Sequence, residues 1–281
     1  PGPVVLQVVF SGGSEHDWHH STRGLGPRDI AMNVALPEVD GRIMSRAVSF
    51  KGRARRDKLC ETDIVEYEPV EDRISFVSEM AANWAALRRK PAADRRVALV
   101  LANYPNRDGR IGNGVGLDTP AATVNVLNAL KEKGYSVTDI PADGAALFDR
   151  LIAGPTNDFK ALANRNVTET LSMADYQLFL AALPESVRKA VDERWSGAEE
   201  DPFFIPGGAD GGSFAVPAFR LGNAAVCLQP ARGYNINPKD SYHDPDLVPP
   251  HNYLAFHAWL RRGFNADAVV HMGKHGNLEW L

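Results

Sequence analysis

Near the end of the sequence, His271, His275 and Glu279 stand at successive four-residue spacings. Neutral imidazoles accept protons near neutral pH and bind borderline divalent metals, and a neighbouring carboxylate adds charge that favours a cation. On a continuous helix the three would share one face at i, i+4 and i+8, but Gly273 and Gly276 predict strand, loop and helix instead. Met272 stands where the HExxH zinc proteases carry their glutamate, so that chemistry is disfavoured. Insertion of a metal into a macrocycle needs what this set offers: a base for the ring N–H protons that leave, and a transient ligand for the ion as it sheds water. The plainer reading is two loop histidines bonding carbonyls. Five of the eight histidines fall within residues 229–281, the densest stretch of unusual chemistry in the chain.

Two other places invite the same question. Glu15, His16, Asp17, His19 and His20 follow the first apolar run, at what would be the carboxyl edge of a sheet, and clustered imidazoles suggest a transition metal. The competing reading is a polar loop of exposed side chains. The glycine-bearing segment YPNRDGRIGNGVGLDTP, 104–120, lies between a predicted strand and a predicted helix, where α/β proteins bind phosphates. It matches neither GxGxxG nor GxxxxGK[ST], so a nucleotide site is not supported. Asp118 or Thr119 as N-cap, with Pro120 in the first turn, accounts for the end of that loop.

The elements that must position these residues follow from periodicity. Val4–Phe10 reads as a strand buried on both faces, Arg28–Leu36 as a short helix and Arg42–Phe50 as a strand. Lys51–Lys58, KGRARRDK, reads as a solvated basic loop. Ile74, Val77, Met80, Ala81, Trp84, Ala85 and Leu87 recur at helical spacing between Val70 and Lys90. Strands are predicted at 96–102, 135–140, 214–219, 224–228 and 268–270, and helices at 119–133, 144–153, 172–183, 185–195 and 251–262. The strand, crossover, strand order predicts an α/β fold of Rossmann-like, doubly wound parallel-sheet subdomains with additional helices. We expect one α/β subdomain over 1–94 and a second over 95–200. Residues 201–281 read as the start of a third region, marked by the Gly- and Pro-rich change of character between Ser196 and Gly212.

Composition narrows the function classes. In 281 residues, 44% hydrophobic content is enough for folded cores, and 31 Lys+Arg against 35 Asp+Glu gives a net charge of -4 that offers no general attraction to nucleic acid. No apolar run approaches the roughly 20 residues of a membrane-spanning helix. Only two cysteines, Cys60 and Cys227, are present and they are far apart, which fits a reducing, cytoplasmic setting. Beginning on Pro rather than Met, the chain reads as an internal piece of a longer polypeptide.

The stretches HMGKHGNLEWL, YHDPDLVPPHNYLAFHAWL and FNADAVVH together closely resemble the large subunit of aerobic cobaltochelatase, the CobN family. STRGLGPRDIAMNVALPEVDGRIMSRAVSFK and RVALVLANYPNRDGRIGNGVGLDTPAATVNVLNALKEKGY extend the likeness over most of the chain. The resemblance implies ATP-driven insertion of Co2+ into hydrogenobyrinic acid a,c-diamide during cobalamin synthesis. It further implies that ATP and Mg2+ are handled by a separate AAA-type ATPase subunit, with a third chelatase subunit alongside, and that this chain holds no tightly bound cofactor. On it, His271, His275 and Glu279 are the candidates for proton removal, with His271 and His275 as metal ligands. Arg232, His243 and His251 are the candidates for binding the substrate's carboxylates or completing the metal path.

The large component of magnesium chelatase, a homologue, shares the terminal pattern, so insertion of Mg2+ into protoporphyrin IX is the rival reading; ALPEVDGRI resembles the cobalt enzyme more. A non-catalytic docking fragment is the third. Two departures stand out. The family's large subunit is several times longer and continues past Glu-Trp-Leu with Pro-Gly-Lys, and His16, Asp17, His19 and His20 stand where the family is expected to carry less histidine.

Overall fold

The computed structural model describes residues 2–103, 106, 108–208, 211–233 and 247–273. The chain divides into two compact units, Pro1–Arg89 and Lys90–Leu281. The sequence expects boundaries at 94/95 and 200/201, and the compact units divide at 89/90.

In the first unit β1 (Leu6–Phe10) runs parallel to β2 (Ile43–Asp57), and β2 pairs antiparallel with β3 (Thr62–Pro69). After β1 comes α1 (Glu15–His20), started by Ser14, whose hydroxyl accepts from the Asp17 N–H. The segment expected as a polar loop is therefore a capped helix. Two short helices, α2 (Pro27–Asp29) and α3 (Leu36–Val39), flank a π-helical turn over Ile30–Ala35 and lead into β2. The basic run after Phe50, expected as a loop, is instead the second half of β2. Its strand character comes from β3, whose Asp63 faces Arg53 at 3.6 Å and Arg56 at 3.5 Å. The long helix α4 (Glu71–Arg89) closes the unit with none of its residues buried, and Val9, Ala47 and Phe50 form the unit's buried apolar cluster.

The second unit is built on a four-stranded sheet in the order β10 (Ala218–Leu221), β11 (Ala224–Leu228), β4 (Val97–Leu101), β12 (Ala268–Met272). Both neighbours of β4 run parallel to it, and all five of its residues are buried, as a wholly apolar strand covered on both faces should be. The two faces follow from alternation. Ala98 and Val100, with Ala225 and Cys227, pack under α7 (Met173–Ala181) and α9 (His251–Ala258). Val97, Leu99 and Leu101, with Val226 and Leu228, pack under α5 (Thr119–Glu132) and α6 (Gly144–Ala153). At the entrance of the sheet, Asp267 accepts from Lys90 Nζ at 2.6 Å and from the Arg96 N–H at 2.7 Å, joining the start of β12 to that of β4. A hairpin of β5 (Asn113–Gly114) and β6 (Leu117–Asp118) precedes α5. A small antiparallel sheet of β7 (Glu169–Ser172), β9 (Ser213–Val216) and β8 (Phe204–Ile205) joins the first face, and α8 (Glu185–Trp195) follows α7.

Three sequence expectations change here. Residues 135–140 form no strand: both flanks of β4 are taken, and only Val137 bridges to Gly222. Gly222 allows that approach, since it sits at φ +71° and a Cβ there would lie 2.6 Å from the Ser136 carbonyl oxygen. The run 214–219 breaks at Pro217 into β9 and β10, because proline supplies no N–H to a ladder. The helix beginning at His251 leaves α geometry at Ala258 and finishes as a π turn over Trp259–Gly263.

Candidate active site

Parallel pairing puts the carboxyl ends of β11, β4 and β12 on one edge of the second unit's sheet, with β4 between two strands reached by separate crossovers. This is where open α/β sheets bind ligands. Polar side chains collect there and are buried: Asn103 and Asn106 after β4, Gln229 and Arg232 after β11, and Asn157 and Thr119 beside them. Buried polar groups at a strand-end edge are a stronger sign of a site than the glycines of the preceding loop. Asn157 holds the turn after β11 from both sides: its amide donates to the Gln229 carbonyl at 3.0 Å and its carbonyl accepts from the Ala231 N–H at 2.8 Å. That turn presents Arg232, which is 3% exposed.

His271 is the penultimate residue of β12, opposite Val100 of β4, and its side chain is exposed. Immediately afterwards Gly273 adopts φ +102°, and a Cβ there would lie 2.9 Å from Thr119 Oγ1. The chain leaving His271 passes so close to the start of α5 that only glycine fits without displacement. His275 and Glu279 lie outside the described residues, as does His243.

A second imidazole, close enough to His271 for their charges to interact, was missed by sequence reasoning. His257 projects from α9, with its ring 4.9 Å from Tyr253 and 5.3 Å from Phe256. Burial drives its pKa down to about 4, and the nearby charges of Arg261 and His271 act in the same direction, so the ring is neutral at physiological pH. Burial also pushes the Tyr253 hydroxyl up to about 12, while the Arg232 guanidinium and the Gln229 side chain pull the other way. The phenol remains a hydrogen-bond donor. The signal for this face was readable: Tyr253, His257 and Arg261 recur at i, i+4 and i+8 on one helix. The edge thus combines a neutral half-buried imidazole, an exposed imidazole, a phenol and a guanidinium.

His251, the other candidate on α9, sits differently. It is 1% exposed; its Nδ1 lies 2.7 Å from Tyr176 Oη and its Nε2 lies 3.0 Å from the Ser196 carbonyl. A carbonyl accepts only, so Nε2 carries the proton and, in the neutral ring, Nδ1 accepts from the tyrosine hydroxyl. Ser196 itself closes α8 at φ +63°, a costly conformation for a residue with a side chain. Trp195 Nε1 donates to the Val248 carbonyl at 2.8 Å, and Asp201 accepts from the Asn252 N–H at 2.8 Å. The structure therefore brings Arg232 and His271 to the sheet edge and sets His251 into the clamp that holds the start of α9. Among the described residues, no three His, Cys, Asp or Glu side chains gather as a metal cluster. One separate cavity, lined by Arg150, Gly154, Asn166, Thr168 and Phe219, contains none of the residues chosen from sequence.

Residues 2–281 match the family described as CobN/Magnesium Chelatase. The chain is 57% identical over 280 residues to the aerobic cobaltochelatase subunit CobN of a Sinorhizobium species, covering 100% of this chain and 21% of that protein. Against the corresponding magnesium-chelatase component of Chlorobaculum parvum it is 29% identical over 279 residues, covering 99% of this chain and 20% of the other. Its fold superposes on the catalytic subunit of cobaltochelatase from Mycobacterium tuberculosis with a TM-score of 0.83 at 38% identity, over 99% of this chain and 23% of that one. The chain spans about a fifth of the length of the curated relatives it matches.

Proposed function

Because the chain belongs to the CobN/magnesium chelatase family, we propose that it is part of the macrocycle-handling subunit of an ATP-dependent cobalt chelatase acting in the cytoplasm. The substrates on this reading are Co2+ and hydrogenobyrinic acid a,c-diamide. An AAA-type ATPase subunit and a third chelatase subunit are the partners, with ATP and Mg2+ bound on the ATPase side. The observation that carries the reading is the sheet edge where exposed His271 near the end of β12 and buried Arg232 after β11 flank β4, with neutral His257 on α9. The cobalt assignment over the magnesium one rests on 57% identity to the Sinorhizobium cobaltochelatase subunit against 29% to the Chlorobaculum magnesium-chelatase component.

The chemistry follows from the groups present. Ring N–H protons must leave as the ion enters, and His271, reachable from solvent, accepts one on its unprotonated nitrogen and passes it to water, which restores the lone pair through which it serves as a passing ligand. His275 and Glu279 complete this set on sequence grounds. Arg232 suits a substrate carboxylate because its planar guanidinium can bond both oxygens at once. His243 shares that role on sequence grounds. For His251 the reading is positional, since both ring nitrogens are engaged inside the protein.

Reconstituted insertion with the intact polypeptide and its ATPase partners tests the reading. We expect turnover of Co2+ and loss of insertion in His271→Ala with macrocycle binding retained. Turnover of Mg2+ into protoporphyrin alone overturns the metal assignment, and unchanged turnover in the variant removes His271 from the mechanism.

A further inference from the structure

We propose that His16 and His20, on α1 of the first unit, form a two-imidazole chelate for a borderline divalent cation of the Co2+, Ni2+, Cu2+ and Zn2+ class. The two residues are one helical turn apart on the same face, and their rings stack with centroids 4.2 Å apart and planes 17° from parallel. At that separation, small rotations of the two rings bring one nitrogen of each to a single ion.

Three features make this more than a pair of surface histidines. First, His20 Nδ1 lies 2.8 Å from the His16 carbonyl oxygen. Since a carbonyl only accepts, the His20 proton sits on Nδ1 and the Nε2 lone pair is left for a metal, the arrangement found in imidazoles held ready for coordination. Second, the helix is firmly mounted. Buried Asp29 accepts from Ser11 Oγ at 3.1 Å and from the Gly12 N–H at 2.8 Å, and the Lys51 N–H of β2 donates to the Gly13 carbonyl at 2.8 Å. Trp18 turns inward onto Phe50, with ring centroids 5.5 Å apart, under the Arg73 guanidinium. The inner side of α1 is thus pinned while the histidines face outward, and His16 is 77% exposed. Third, carboxylates stand beside the imidazoles of this helix: Asp17 Oδ1 lies 3.8 Å from His16, and Glu15 Oε1 lies 3.6 Å from His19. Two protein ligands leave the remaining coordination positions to water, which suits capture and release better than permanent binding. The site stands on these residues alone. Where the chelatase reading also holds, it is a collection point for the incoming ion.

Co2+ titration of the intact polypeptide, followed by equilibrium dialysis and visible absorbance, tests the site separately from turnover. We expect one saturable equivalent that the His16→Ala/His20→Ala double variant lacks, that each single variant holds at least tenfold more weakly, and that His271→Ala retains. Affinity should rise from Co2+ through Ni2+ to Cu2+, with no competition from Mg2+, an oxygen-seeking ion. Circular dichroism of the double variant should match the parent, because both rings lie outside the core. Equal stoichiometry and affinity in the double variant, or displacement of Co2+ by equimolar Mg2+, overturns the proposal.

Discussion

Both units carry a parallel strand pair whose carboxyl edge holds imidazoles, yet the two edges are built for different work. In the second unit β4 is covered on both faces, and the groups at its edge, Asn103, Asn157, Gln229 and Arg232, are themselves buried. In the first unit the edge leads to α1, which buries no residue, above a core of Val9, Ala47 and Phe50. A polar group withdrawn from water must have its partner, so the inner edge is fixed in shape and selective for a shaped ligand. A polar group left in water has no such demand, so the outer edge can hold and release a hydrated ion cheaply. Burial of the supporting residues, more than the identity of the histidines, separates the two.

The comparison breaks most readily at Asn157. If the inner edge is held by satisfied buried hydrogen bonds, Asn157→Ala leaves the Gln229 carbonyl and the Ala231 N–H without their partners. A loss of about 2–4 kcal/mol is expected in urea unfolding, with weaker macrocycle binding because Arg232 is no longer presented. His16→Ala at the outer edge should change stability by less than about 0.5 kcal/mol. Comparable losses at the two positions would erase the distinction.

His257 gives the next largest effect and a sign. Its folded pKa of about 4 lies below the ordinary value of 6.5. The unfolded chain therefore binds more protons between those values, and stability falls with decreasing pH across that window. The contribution is complete above about pH 6.5 and exhausted below about pH 4, and amounts to on the order of 2 kcal/mol after allowing for partial exposure. Urea midpoints measured at pH 7, 5.5 and 4 should show this decline, and His257→Gln should flatten its part of it. An unchanged pH profile in the variant would mean that the imidazole is not held neutral by burial.

Much of the second unit was legible because its signals are periodic. The apolar run at 97–101, the helix at 144–153 and the strand at 224–228 all stand where alternation and capping put them. What escaped was decided by partners distant in sequence. Nothing local in 135–140 tells that β11 and β12 occupy both sides of β4, and nothing in KGRARRDK tells that Asp63 waits across a hairpin. At the edge, His271 declared itself by type and spacing. His257 was signalled only by its spacing from Tyr253 and Arg261, because a histidine among Phe256, Ala258 and Trp259 otherwise reads as helix interior. His251 stood out for its type, whereas its place is decided by Tyr176 and by Ser196 at the close of α8.

The clamp on α9 offers a smaller test. Tyr176→Phe removes the hydroxyl that bonds His251 Nδ1 and leaves the aromatic packing against Phe214. About 1 kcal/mol of stability should be lost. If His251 acts by position alone, substrate binding should follow the local fraying of α9, read by hydrogen exchange at residues 251–258. Weakened binding with α9 protection intact would instead make His251 a direct contact.

The smallest effect belongs to the basic hairpin. Arg53 and Arg56 share Asp63 at 3.6 and 3.5 Å, and their side chains are 68% and 59% exposed. Pairs so open to water are screened and hold long side chains at an entropic cost, so Arg53→Ala should move stability by no more than about 0.5 kcal/mol and less still in high salt. Arg56 adds a 2.7 Å bond to the Glu61 carbonyl, at a residue held at φ +50° in the turn, so Arg56→Ala should cost slightly more. Thermal unfolding of the two variants at low and high ionic strength separates charge from turn geometry. If Arg53 proved the costlier residue, or if salt left its effect unchanged, the hairpin would owe its pairing to something other than solvated ion pairs, and the open character assigned to the first unit would need another physical basis.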